Sequence, residues 1–197
     1  GDEAAEAVAA ARAADAVVMV LGLSSRLEGE EMPLKIEGFS GGDRTSLDLP
    51  QVQQDLMEKV VAAAAGKPVV LVLLNGSALA VGWADAHVPA IVEAWYPGQA
   101  GGTAVADVLF GDVSPAGRLP LTFYRSLDQL PPFEDYAMKG RTYRYFTGTP
   151  LYPFGHGLSY SRFAYARLAV PKKAPLGAPV TVSVEVRNAG TMEADEV

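Results

Sequence analysis

Three short apolar runs constrain this fold more than any other feature of the chain. Residues 16–21 (AVVMVL), 68–74 (PVVLVLL) and 90–94 (AIVEA) are continuous rather than alternating. A strand with one wet face alternates apolar and polar residues, whereas a continuous run belongs to a strand covered on both faces. Helix formers lie between the runs. Residues 3–14 (EAAEAVAAARAA) read as a helix that Asp2 could cap. Pro50 opens a second helix, from about Gln51 to Ala65, in which Val52, Leu56, Val60 and Ala64 recur at four-residue steps before Gly66. A short helix near Trp83 and a longer one over residues 99–109, closed by Gly111, complete the set. Such alternation predicts an α/β fold with a mostly parallel sheet and helices on both faces, an α/β sandwich. Residues 118–123 (RLPLTF) are expected to add a fourth strand.

The pattern changes after Pro171. Val180, Val182, Val184 and Val186 alternate with polar residues, the period of a half-buried antiparallel strand. Phe163, Tyr165 and Leu168 suggest an earlier strand of the same kind, and Asn188-Ala189-Gly190 reads as a turn. Two strands cannot bury their apolar faces alone, and a β-sandwich takes about 100 residues. Residues 161–197 are therefore expected to be the first strands of an incomplete β-sandwich, and residues 1–160 a separate α/β domain. Within that domain residues 124–160 read as ordered coil, because Tyr143, Tyr145, Phe146, Tyr152 and Phe154 are too many aromatics for a tether.

Composition removes several functions. A net charge of −7, with no Lys/Arg cluster to offset it, argues against a nucleic-acid partner. The absence of cysteine rules out disulfides, thiolate metal sites and a thiol nucleophile, and leaves the compartment open. Histidines occur only at His87 and His156, so neither a metal nor a cofactor is expected. No apolar run reaches the ~20 residues of a membrane span. The helical pattern begins at once with no leader, so the chain is expected to start inside a longer protein.

A polar, Gly-rich loop covers residues 22–49, and loops of such length are usually functional. Leu27-Glu28-Gly29-Glu30-Glu31 sits in it, just beyond the first strand. Three carboxylates in four residues repel one another, and partial screening from water favours the protonated form. Ligand crevices of open α/β sheets lie outside the carboxyl ends of the strands, and proton donation needs a carboxyl that holds its proton. A solvated acidic turn around Gly29 is the plain alternative. A dinucleotide site is excluded, because Gly22-Leu23-Ser24-Ser25-Arg26 lacks the glycine-rich turn.

Several stretches, in order, carry a resemblance. They are Leu27-Glu28-Gly29-Glu30, Gly42-Asp43-Arg44-Thr45-Ser46-Leu47-Asp48-Leu49-Pro50, and Val72-Leu73-Leu74-Asn75-Gly76. Next come Ala94-Trp95-Tyr96-Pro97-Gly98-Gln99, Asp107-Val108-Leu109-Phe110-Gly111-Asp112 and Pro115-Ala116-Gly117-Arg118-Leu119-Pro120. Arg141-Thr142-Tyr143-Arg144-Tyr145-Phe146 and Phe154-Gly155-His156-Gly157-Leu158-Ser159-Tyr160 complete the series. Together they resemble the C-terminal half of a family 3 glycoside hydrolase of the β-glucosidase/β-xylosidase type. The resemblance implies an α/β sandwich that follows an N-terminal (β/α)8 barrel and often precedes a fibronectin type III-like domain. It also implies a retaining, exo-acting β-glycosidase whose nucleophilic Asp lies on the barrel, with β-linked oligosaccharides or aryl glycosides as substrates. A periplasmic or secreted location is favoured by the resemblance, with the cytoplasm left open.

In such enzymes the sandwich domain supplies the general acid/base from the loop after its first strand. Family members carry a Gly-Glu or Ala-Glu pair there, which falls here on Gly29-Glu30. The resemblance thus implies Glu30 as acid/base, with Glu28 and then Glu31 as the alternatives that the insertion Met32–Gly42 leaves open. Asp43 and Arg44 are expected to anchor the far end of the loop through an Arg–carboxylate pair. Glu28 and Trp95 are candidates for sugar contact, and core packing is the plainer role for Trp95 and Tyr96.

Overall fold

The computed structural model describes residues 2–197, with side chains from Glu3 onward. The expected Asp2 cap lies outside the described side chains. The elements run α1 (Asp2–Ala13), β1 (Val17–Gly22), β2 (Phe39–Ser40), β3 (Asp43–Arg44), α2 (Gln51–Ala64), β4 (Val69–Leu74) and α3 (Gly82–His87). They continue β5 (Ala90–Glu93), α4 (Gly101–Phe110), α5 (Thr142–Tyr145), β6 (Phe163–Ala169) and β7 (Ser183–Asn188). Two compact units result: Gly1–Gly102 with Pro120–Gly155, and Thr103–Leu119 with His156–Val197.

The first unit holds a parallel sheet in the order β1-β4-β5. β4 is central, and Leu71, Val72 and Leu73 are each at most 1% exposed. Its unbroken apolar run follows from that position, since both faces and both edges are covered. β1 is an edge strand whose Met19 is buried while Val18 and Val20 stay more than half exposed. α2 buries Met57, Val60 and Ala64 and ends on Ala65 in the left-handed conformation. Each fully buried Leu or Met in this core contributes about 1.5–3 kcal/mol of transfer free energy.

Residues 118–123 do not form the expected fourth strand. Phe123 makes a single bridge to Tyr152, and Thr122 and Phe123 are buried without a ladder. Pro120 lacks the N–H that a ladder would need there. Burial in this run is confined to its last two residues.

The aromatic coil is ordered by ring contacts. Tyr124 meets Phe146 edge-on at 5.0 Å, Tyr143 stacks on Phe154 at 4.4 Å, and the Tyr152 hydroxyl donates to Asp85 at 2.7 Å.

In the second unit β6 and β7 form an antiparallel ribbon whose register shifts between Ala166 and Ala169. The expected turn is present, with Gly190 N–H donating to Asn188 Oδ1 at 2.9 Å. Ser114 links to Ser159 at 3.0 Å and accepts from Tyr160 N–H, and the Tyr160 hydroxyl donates to Val108 O at 2.8 Å.

Candidate active site

The register aligns the carboxyl ends of the three parallel strands. Gly22 pairs with Leu74, and Leu73 pairs with Glu93, so the chain leaves all three strands at one end of the sheet. The first exit is fixed by α2. Gln53 accepts from Gly22 N–H at 2.8 Å and donates to Gly22 O at 2.7 Å.

The loop beyond is folded, not floppy. Leu27 and Glu28 N–H groups both donate to Ser24 O, and Met32 N–H donates to Gly41 O at 2.7 Å. β2 and β3 form a two-residue hairpin across Gly41 and Gly42, whose φ angles of 63° and 93° are those that such a turn demands. The hairpin delivers Arg44 inward. Its Nη1 donates to Ser77 Oγ at 2.9 Å and lies 3.8 Å from Glu28 Oε1, while Nη2 donates to Asp48 O at 3.1 Å. Asp43, its neighbour, is exposed. Of the two expected anchors Arg44 does the holding, and the carboxylate it meets is Glu28.

Glu28 is the centre of the site. Its side chain is 10% exposed. Oε1 accepts from the Ser77 hydroxyl and faces Arg44, whereas Oε2 accepts from Gly76 N–H at 2.7 Å and from the Tyr96 hydroxyl. Burial alone would raise its pKa. The bonds from Ser77, Tyr96 and Gly76, with the Arg44 charge, outweigh burial and hold the carboxyl below its ordinary value. Tyr96 is pushed the other way by burial and by the carboxylate it serves. A carboxylate that accepts three hydrogen bonds beside a guanidinium is favoured in its ionised form and held in one place.

Glu30 and Glu31 are exposed beyond this anchor, and Glu31 has a left-handed φ of 51°. Trp95 also has a left-handed backbone, φ 53°, and its ring meets Phe123 edge-on at 6.0 Å. Among the described residues no three His, Cys, Asp or Glu side chains gather as metal ligands.

Sequence reasoning did not single out Ser77 or Glu93. Glu93 ends β5, accepting from Asn75 Nδ2 at 3.3 Å and from Trp95 N–H at 3.2 Å. Burial pushes its carboxyl up to about 7 against those two bonds, with a further push from the Glu28 charge. The signal that could have found both residues was present, because each stands at the carboxyl end of a parallel strand.

Comparison with known proteins identifies the family. The sequence profile of the glycosyl hydrolase family 3 C-terminal domain matches residues 1–160. A xylan 1,4-beta-xylosidase of Xylanibacter ruminicola is 50% identical over 97% of this chain and 22% of its own length. A periplasmic beta-glucosidase of Salmonella typhimurium is 43% identical over 95% of this chain and 25% of its own length. The crystal structure of a family 3 beta-glucosidase from Bifidobacterium adolescentis superposes with a TM-score of 0.79 and 35% identity, over 97% of this chain and 28% of that one. The chain thus spans about a quarter of the length of these relatives. It belongs to glycosyl hydrolase family 3 and corresponds to that family's C-terminal domain.

Proposed function

We propose that this domain lends the general acid/base, Glu30, to a retaining exo-acting β-glycosidase of the β-xylosidase or β-glucosidase type. The observation that carries the assignment is the state of Glu28. Its two oxygens accept from Ser77, Gly76 and Tyr96 beside the Arg44 charge, which favours the ionised form over one that holds a proton to give. Glu30, two residues on, is exposed beside that fixed point. Relatives named as xylosidases and glucosidases support the reaction class.

In this reading Glu30 protonates the departing glycosidic oxygen while an Asp of an N-terminal barrel attacks the anomeric carbon. Water then attacks the glycosyl-enzyme, Glu30 takes its proton, and the sugar leaves with the Asp released. The two carboxyls of a retaining pair stand about 5–5.5 Å apart. A loop pinned at Glu28 and Arg44, with its acid on the free side, can reach such a partner. The half-exposed valines of the β6–β7 ribbon support a place in a fibronectin type III-like domain.

The test is a pair of variants in the full-length enzyme. Glu30→Gln is expected to lower kcat on a substrate with a poor leaving group by about 10²–10⁴-fold, and much less on an activated aryl glycoside. Glu28→Gln should lower both without that distinction. Retention of full activity by Glu30→Gln on the poor substrate would end the assignment.

A further inference from the structure

The geometry points to Glu93 as a positioning residue that keeps the two halves of the Glu28 grip in register and so places the loop bearing Glu30. This rests on the reading of Glu30 as proton donor. Glu28 is held from two separate chain segments. Gly76 N–H and the Ser77 hydroxyl come from the exit of β4, and the Tyr96 hydroxyl comes from the exit of β5. Nothing in the backbone ladder joins these segments, since β5 ends at Glu93, paired with Leu73.

Besides Glu28 itself and the Tyr96 ring that lies against Gly76, the Glu93 side chain joins them. Glu93 Oε2 accepts from Asn75 Nδ2 at 3.3 Å, and the same nitrogen donates to Ser77 O at 2.8 Å. Glu93 Oε1 accepts from the N–H of Trp95, the residue before Tyr96. Trp95 has φ 53°, a conformation that a bulky residue keeps only when its surroundings hold it there. The Glu93 bond supplies part of that hold. Asn75 is fully buried, so this cross-link is sheltered from competing water. Glu28 is the charged group that acts on Glu93, and a carboxyl that takes up a proton near neutrality can lie beneath it with less repulsion than two fixed charges would suffer.

The experiment compares Glu93→Ala, Glu93→Gln and Glu30→Gln in the full-length enzyme, on aryl glycosides ranging from good to poor leaving groups. Amide exchange at Gly76 is followed in the same variants. Glu93→Ala should slow the poor substrates about 10- to 100-fold, as a displaced catalytic loop would, and the activated ones by far less. It should also speed exchange at Gly76, whose N–H Glu28 no longer grips. Glu93→Gln keeps an acceptor for Trp95 N–H and loses the one for Asn75, so its effects should have the same direction and smaller size. It carries the test if the alanine variant does not fold. An equal loss on all substrates, or unchanged exchange at Gly76, overturns the role of Glu93. Should Glu30→Gln itself show no dependence on leaving group, the reading of Glu30 falls, and exchange at Gly76 still decides whether Glu93 braces the grip.

Discussion

β4 and β7 are both six-residue strands that carry valines, yet those valines have opposite fates. In β4 Val69, Leu71, Val72 and Leu73 are all at most 3% exposed. In β7 Val184 and Val186 remain 47% and 46% exposed. β4 is apolar throughout, whereas β7 alternates its valines with Ser183, Glu185 and Arg187, so only the valines compare like with like. The company differs too: β4 has β1 on one edge and β5 on the other, and β7 pairs with β6 alone. Apolar content decides whether a strand can be buried, and its neighbours decide whether it is.

The contrast is open to attack by mutation. The largest effect is expected at Leu71, where truncation to alanine should cost about 2–5 kcal/mol, read as a lowered denaturant midpoint of the domain. A smaller effect, discounted because the site is partly open to solvent, should come from pH. Glu93 binds its proton more tightly folded than unfolded, so its contribution is complete below about 4.5 and is lost as pH rises through about 7. Glu28 has the reverse sign. Its contribution is present above 4.5 and is lost as pH falls through its lowered folded value. Stability should therefore peak in mildly acidic solution, and Glu93→Gln should flatten the decline on the alkaline side. Midpoints measured across that range decide it, and an unaltered decline in Glu93→Gln would assign it to other groups. The smallest effect is expected from Val184→Ala, within about 0.5 kcal/mol as for an ordinary surface change. Measured on this domain, a loss there as large as at Leu71 would mean that the ribbon face is already covered within the chain, and the contrast would dissolve.

Much of the α/β body was legible in the chain. The three short β-branched apolar runs became β1, β4 and β5, and the four-residue steps after Pro50 became α2, whose period they match. Arg44 and the acidic turn were legible as parts of one loop. Their pairing was not, since Arg44 reaches Glu28 only through a hairpin whose turn lies at Gly41 and Gly42. Glu93 was hidden for a related reason. In AIVEA it reads as one polar residue at a strand end, and its bonds come from Asn75 and Trp95, one on another strand's exit and one beyond its own. Residues 118–123 show the converse, an apolar run that makes one bridge, at Phe123, and no ladder.

Gly76 sits where the grip is tightest. A β-carbon there would stand 2.7 Å from the Tyr96 ring and 3.3 Å from Glu28 Oε2. Any side chain would have to push the phenol aside, and the hydroxyl could not follow the carboxylate. Position 76 therefore works as a keyhole whose usefulness lies in being empty, and a library randomised at this codon and selected for turnover should return almost nothing but the starting residue.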